Sequence, residues 1–473
     1  MNSVPGGSPN DRLAGVMGEA GTSRKALARA VRELSVRRGR PIGCDHTAVS
    51  RWLAGTQPRA QTVQLIADAL GASTGRTVTL ADIGMVVGLS EPVVRAAQTP
   101  ASANIAPASV EYPATWSQSV GYSLDLWRLD TERREFLVGA AFVAGAHATP
   151  VLRWLIGGDP EEPTGTGQRL VGMPDVEAVR EMTRGFQRID NKFGGGVARD
   201  AVVRYLDREV APLLSDGRYS ASVGRALSGA TAELTKLAGW MAHDLDRHGL
   251  GQRYLVQSLR LAQAAGDEAL GAEILNGMSH QATYLGHGAA GVDLARATRK
   301  SAERAGVPAL LAEAAVMEAH GHARGGHERQ TTLALGEAER IFDRARPADA
   351  PQWISYFDEA YLSAKFGHCF RELGQPEAGR KFALRSLDMD GTYVRGMLFN
   401  TVLLAALEAQ AGEVEQACAT GRRALVLAAD MKSARVAQYL DRLREDLAPY
   451  GSHPDVQAFD GDARRVARLQ LAG

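Results

Sequence analysis

One spacing in the second half of the chain leaves it few ways to fold. From Thr231 onward a pair of helices joined by a turn recurs, and its second helix carries a small residue, a bulkier one four positions on and a small one three after that. The instances are Gly251/Leu255/Ser258, Ala290/Leu294/Ala297, Thr331/Leu335/Ala338, Ala378/Phe382/Arg385 and Ala417/Gly421/Ala424, starting 39, 41, 47 and 39 residues apart. Arg385 and Gly421 break the size rule. Residues three and four apart share one helix face. Small residues on that face let paired helices approach, and stacking hides a stripe that no single pair can bury. Further helical patterns cover residues 124–148, 174–193, 197–214 and 221–245, and no alternation of β-branched residues speaks for a sheet. The expected fold is all-α, with a helical connecting region over residues 118–230 and an α-solenoid of helix pairs over 231–473.

A length of 473 residues calls for more than one domain. With 45% hydrophobic and 23% charged residues the chain is globular in composition, neither disordered nor collagen-like. Cys44, Cys369 and Cys418 stand far apart without CxxC spacing, which argues against a disulfide framework or a structural zinc and reads as three small buried hydrophobes. The start has neither a basic segment nor an apolar core of an export signal. The most apolar run, residues 136–146, is interrupted by His147, Pro150 and Arg153, short of the ~20 apolar residues of a spanning helix. It reads as a buried helix, and the chain as cytoplasmic with no membrane partner. Net charge is zero but uneven: residues 1–76 hold 11 Lys and Arg against 5 Asp and Glu, and the remainder 43 against 49. A basic end on an acidic body points to a nucleic-acid contact near the N-terminus.

Residues 1–95 read as a module of short helices, followed by an Ala-, Ser- and Pro-rich linker over 96–117. The first helix covers 11–20 with Leu13, Val16 and Met17 inward, and Ser23 caps a second bearing Leu27 and Val31. A polar, Arg-rich turn spans 35–43. A third helix runs over 45–54, capped by Asp45 and ended by Gly55, and a fourth over 62–70 stops at Gly71. Residues 75–85 are β-prone, then helical, with Thr79 and Asp82 at capping-box spacing. In the third helix Val49 and Trp52 must face the core, which turns His46, Thr47, Ser50 and Arg51 outward.

The run Leu27-Ala28 … Thr47-Ala48-Val49-Ser50-Arg51-Trp52-Leu53-Ala54-Gly55 … Pro58 … Leu65-Ile66-Ala67-Asp68-Ala69-Leu70-Gly71 resembles the helix-turn-helix of the phage-repressor and xenobiotic-response-element class, with a longer link between its second and third helices. The resemblance implies double-stranded DNA as partner and the third helix in the major groove. His46, Thr47, Ser50 and Arg51 then reach base edges, Arg51 as a bidentate donor to guanine. Arg24, Arg37, Arg38, Arg40 and Arg59 are placed for phosphates, which fix register and add salt-dependent affinity. Leu373-Gly374-Gln375-Pro376-Glu377-Ala378 and Ala411-Gly412-Glu413-Val414-Glu415-Gln416-Ala417 look like the inter-helix turns of tetratricopeptide repeats, at a spacing above that family's 34 residues. That resemblance implies a concave groove for a peptide or protein segment. Taken with "TAVSRWLAGTQPRA", "GRTVTLADIGM", "LAGWMAHDLDRHGLGQRYLVQSLRLAQAAGD", "MSHQATYLG", "GHCFRELG" and "SARVAQYLDRLREDLAPY", the chain is similar to streptomycete regulators of the type named for negative control of sporulation and antibiotic production.

Other clusters carry no chemistry of their own. Asn191-Lys192-Phe193-Gly194-Gly195-Gly196 precedes a helix but has no strand before it and no GK[ST], so it reads as a helix–helix turn. His320, His322 and His327 have the wrong spacing for zinc and read as turn-region histidines. Trp240 to Asp244 with His248 orders a helix end. No catalytic, cofactor or metal site is expected. Two functional readings follow. One is a homodimeric DNA-binding regulator whose repeats dimerise it or bind a peptide or protein signal. The other is an adaptor without DNA binding that sequesters another regulator through its repeats.

Overall fold

The computed structural model describes residues 10–37, 42–56, 58, 60–74, 78, 82–85, 112, 115–132, 141–157, 161–346 and 350–472. The chain is mostly helical and divides into two compact units, residues 1–102 and 103–473. Most of the expected linker, 96–117, lies outside the described residues.

The first unit holds α1 (Asp11–Glu19), α2 (Arg24–Arg37), α3 (His46–Leu53) and α4 (Ala60–Thr74). Leu13, Leu27, Val31, Val49, Trp52, Ile66 and Leu70 fill its centre. Asn10 ties three segments together. Its Oδ1 accepts from Leu13 N at 3.0 Å as the cap of α1, its Nδ2 donates to Ile83 O at 3.0 Å, and its backbone N–H donates to Leu53 O at 2.9 Å. Two expectations are corrected here. Gly71 does not stop α4, which runs on to Thr74, where the Ser73 and Thr74 hydroxyls donate back to Ala69 O and Leu70 O and satisfy carbonyls of the last turn. Residues 82–84 form a turn rather than a helix, because Gly84 takes φ +64° and Ile83 and Met85 are drawn into the core. Thr79 lies outside the described residues.

The second unit begins with α5 (Trp116–Glu132) and α6 (Ala148–Ile156). The single helix expected over 124–148 is instead broken. Residues 141–143 are not helical, a 3-10 turn covers Ala144–His147, and α6 starts afresh ahead of Pro150, whose ring cannot follow an unbroken helix. Then come β1 (Gly165–Thr166), β2 (Arg169–Leu170), α7 (Met173–Phe193), α8 (Gly195–Tyr205), α9 (Ala211–Ser215) and β3 (Gly217–Tyr219). The strands form a small sheet in the order β1-β3-β2, antiparallel then parallel, too short to leave an alternating pattern.

From there the chain is a stack of consecutive helix pairs: α10 (Ala221–Asp244) with α11 (His248–Ala265), α12 (Glu268–Tyr284) with α13 (Gly288–Ala305), α14 (Pro308–Arg324) with α15 (Glu328–Phe342), α16 (Glu359–Glu372) with α17 (Pro376–Arg385), and α18 (Val394–Gln410) with α19 (Val414–Ala428). It ends in α20 (Ala434–Leu447) and α21 (Pro454–Ala472). Every instance of the recurring triplet lies in or begins the second helix of a pair. The joints keep a step of twenty residues over five successive turns: Asp246, Gly266, Gly286, Gly306 and Gly326 all take the left-handed conformation, with φ of 64°, 68°, 87°, 67° and 71°. Such a residue ends a helix by folding the chain back so that the last carbonyls are satisfied, as where Asp267 N donates to Ala262 O at 3.1 Å. Short turns force antiparallel neighbours. Helices of 17 and 18 residues, as in α12 and α13, account for a repeat longer than that of the tetratricopeptide family.

One triplet is displaced by a residue. Gly379, Ala383 and Ser386 are buried where Ala378, Phe382 and Arg385 were expected, and Arg385 is exposed. A Cβ on Gly379 would meet Leu407 Cδ2 at 2.7 Å and Phe370 Cβ at 3.1 Å, so this glycine is where α17 approaches its neighbours. Gly379→Val should therefore cost about 1–3 kcal/mol through overpacking, and Ala378→Val well under half of that. Urea midpoints of the two variants check the register.

Candidate functional site

On α3 the buried pair Val49 and Trp52 fixes the helix's orientation, and His46, Thr47 and Arg51 are exposed on the other side with Ser50 half-buried. Asp45 caps the helix, accepting from Ala48 N at 2.8 Å. Its carboxylate also takes the Thr47 hydroxyl hydrogen at 2.7 Å, and both bonds hold its pKa below the usual carboxylate range. The Ser50 hydroxyl donates to His46 O at 2.9 Å and accepts from Arg24 Nη1 at 3.4 Å. Two of the four expected base-reading groups thus have their hydroxyl hydrogens in use, and Arg51 and His46 are the donors left on this face. Arg38, Arg40 and Arg59 lie outside the described residues, as does the side chain of Arg37. Arg24 is exposed beside Ser50.

The second candidate site lies inside the helical unit. A cavity of about 290 Å³ is walled by α7, the paired helices α10, α12, α14, α16 and α18, and α20. Its wall is dense in charge and aromatic rings. At one end the Glu273 carboxylate pairs with Lys236 and accepts the Tyr356 hydroxyl at 2.8–2.9 Å, which also lies 2.9 Å from Glu313 Oε1. Burial, with the Glu273 charge beside it, pushes the Glu313 carboxyl up to about 8. At the other end the Lys365 Nζ donates to His280 Nδ1 at 2.8 Å, and burial lowers its pKa to about 8. His280, His320 and His368 are held neutral by burial and by the positive charge of Lys365. His320 was expected in a turn. It sits inside α14, half-buried and stacked on His368 with ring centroids 5.8 Å apart.

A buried ionic cluster closes the stack around this space. Arg395 donates to both oxygens of Asp190, at 2.9 and 2.6 Å, and approaches Asp244 Oδ2 at 3.4 Å. Asp244 also accepts from Gly195 N at 2.9 Å, at the start of α8, where the helix dipole favours a carboxylate. The glycine turn expected between two helices is one, and it serves this junction. Gly196 N donates to Lys432 O at 2.9 Å and Lys432 N to Phe193 O at 2.8 Å, while a Cβ on Gly195 would lie 2.9 Å from Met241 O. Trp240–Asp244 orders more than a helix end: Trp240 lines the cavity and Asp244 anchors the cluster. His243 and His248 are hydrogen-bonded through their Nδ1 atoms, 2.9 Å apart.

Most of the cavity residues went unread in the sequence because each is a single polar or aromatic position on its own segment. One signal was available: the 47-residue gap, longest of the four, marks the insertion that delivers Trp353 and Tyr356 to the cavity. Asp190 and Arg395 are 205 residues apart.

Two outcomes follow. Arg395→Met alone should destabilise the protein by about 3–5 kcal/mol by stranding two carboxylates, and Asp190→Asn added to it should restore part of the loss. Chemical denaturation of the single and double variants measures this. For Glu313 the sign is that of an acid whose folded-state pKa is raised. The unfolded chain loses its proton from about pH 4.5 while the folded one keeps it to about pH 8, so the group destabilises progressively over that window. Glu313→Gln should gain on the wild type as pH rises from about 5 to 8. A difference that is flat with pH in paired denaturation curves would contradict it.

The family described as SP15 N-terminal domain matches residues 13–86. No curated protein and no solved structure matches the chain.

Proposed function

We propose that the chain is a cytoplasmic, sequence-specific DNA-binding transcriptional regulator of the streptomycete developmental or secondary-metabolism type. The observation that carries this reading is the outward face of α3, where Arg51 and His46 stand exposed opposite the buried Val49 and Trp52, in the basic part of the chain. A short, capped helix whose free donors project from one side is the arrangement that reads base edges in a major groove. Arg24 beside it, and Arg37, Arg38, Arg40 and Arg59, serve the phosphates. The helical unit dimerises the chain, as two-fold operators require, or binds a peptide or protein signal. Among the described residues no helix is long and apolar enough to cross a membrane, which fits this reading.

Genome-wide occupancy of wild type and Arg51→Ala in the native organism tests the proposal. Sharp peaks sharing a motif should be lost in the variant, with about 1–3 kcal/mol less discrimination at one guanine in binding assays. Arg38→Ala should weaken binding to all sequences about equally and reduce the salt slope by about one. Flat profiles in both strains would instead favour the adaptor, for which loss of residues 1–95 is harmless.

A further inference from the structure

We propose that the cavity of the helical unit binds a small organic anion, a carboxylate on an aromatic body, between Arg435 and Lys365. This rests on the signal-receiving half of the proposed function and gives it a ligand class.

Two buried cations in the wall have fewer acceptors than donors. Arg435 is 3% exposed and makes no hydrogen bond among the described residues. Its closest carboxylate oxygen, Asp244 Oδ1, stands 3.8 Å away, and its Nε is buried without a partner. Gly195 N and Arg395 both hold Asp244 through its other oxygen, Oδ2, which keeps Oδ1 at that distance. A guanidinium left this way bears its desolvation cost with little return. Trp240, Tyr284 and Phe399 pack around it, ring centroids 5.4, 5.2 and 4.8 Å from its central carbon. Rings at this distance stabilise the charge, and a guanidinium takes a carboxylate through two parallel bonds.

Lys365 is 5% exposed, has no carboxylate within 4.0 Å among the described residues, and has one hydrogen bond, to His280. A chain of contacts joins the two cations: His280 lies 5.2 Å from the Trp240 ring, which in turn borders Arg435. Of the carboxylates of the same cavity, Glu273 is held by Lys236 and Tyr356 and Asp190 by Arg395, while Glu313 keeps one oxygen unpartnered and Glu233 stands near Lys236 and Arg180, at the other end. Beside Arg435 and Lys365 an anion finds unused donors on both. A volume of about 290 Å³ stands at the lower limit of the ~300–1,000 Å³ of small-molecule sites. It suits one small molecule and not a folded segment.

The test is calorimetric titration of the full-length protein, without DNA, with benzoate, benzylamine and benzyl alcohol, three probes that share a ring and differ in charge. Benzoate should bind with a Kd on the order of 1 mM or tighter, and the other two at least about tenfold more weakly. Lys365→Met should weaken benzoate about tenfold or more. Because a buried variant can fail to fold, the wild type supplies a second readout. Around Lys365 stand Glu313, Tyr361, His280, His320, His368, Cys369 and Arg435. An anion arriving among them raises the proton affinity of Lys365 and Glu313, so near pH 8.5 benzoate binding should take up protons, seen as a buffer-dependent enthalpy, and near pH 6 the uptake should vanish. Benzylamine binding as well as benzoate, three indistinguishable probes, no benzoate binding, or proton release would each overturn the proposal. Benzoate binding by a protein that occupies no DNA would leave this site standing and remove only the regulator reading.

Discussion

The helical unit depends on four charged side chains that have almost no access to water. Asp190 on α7 and Asp244 at the end of α10 meet Arg395 and Arg435, each in the first turn of its helix, α18 and α20. Removing such groups from water costs several kcal/mol per ion, and only good geometry returns it. Asp190 and Arg395 achieve that geometry with two parallel bonds, and Asp244 adds the N-terminus of α8. Apolar packing between these elements could slide by a turn. A fork-to-carboxylate pair cannot, so the cluster sets the position at which the late helices return to the early ones.

That closure changes what the concave side of the stack is. Helix pairs joined at regular left-handed turns would by themselves leave a groove open along its length. With α7 and α8 fastened across it through Lys432 and Arg395, the groove becomes a walled cavity in which many of the lining polar groups are buried. The shifted pKa values follow from this one change. Glu313 and Lys365 move toward each other, and the histidines are held neutral, because burial penalises charge of either sign.

The first unit depends on a smaller constraint. Asn10 caps α1 and bonds Ile83 O, while its backbone reaches the end of α3. Together with Val49 and Trp52 this fixes which side of α3 faces outward. The hydroxyls of Thr47 and Ser50 are spent on making the helix, one on its cap and the other on its backbone, which concentrates the recognition chemistry on Arg51 and His46.

Local rules acting within a few residues were legible in the sequence. The caps Asp45 and Ser23, the apolar stripes of α1 to α3, the stops at Gly55 and at the stack's left-handed glycines, and the pairing of long helices all follow from periodicity and backbone preference. So does the burial of Cys44, Cys369 and Cys418. Where two rules competed nearby, the reading slipped. Gly71 is carried through by a helix whose end is satisfied further on, and the triplet at Gly379 shifts by one because a glycine and a bulky residue were both available to face the neighbour. The tertiary structure alone decided the cavity and its closure. Asp190 finds Arg395 across 205 residues, and Glu273, Glu313 and Tyr356 converge from three separate segments. A polar residue on a helix carries no mark in sequence of whether it meets water or a partner. That is settled only when distant helices stack against one another.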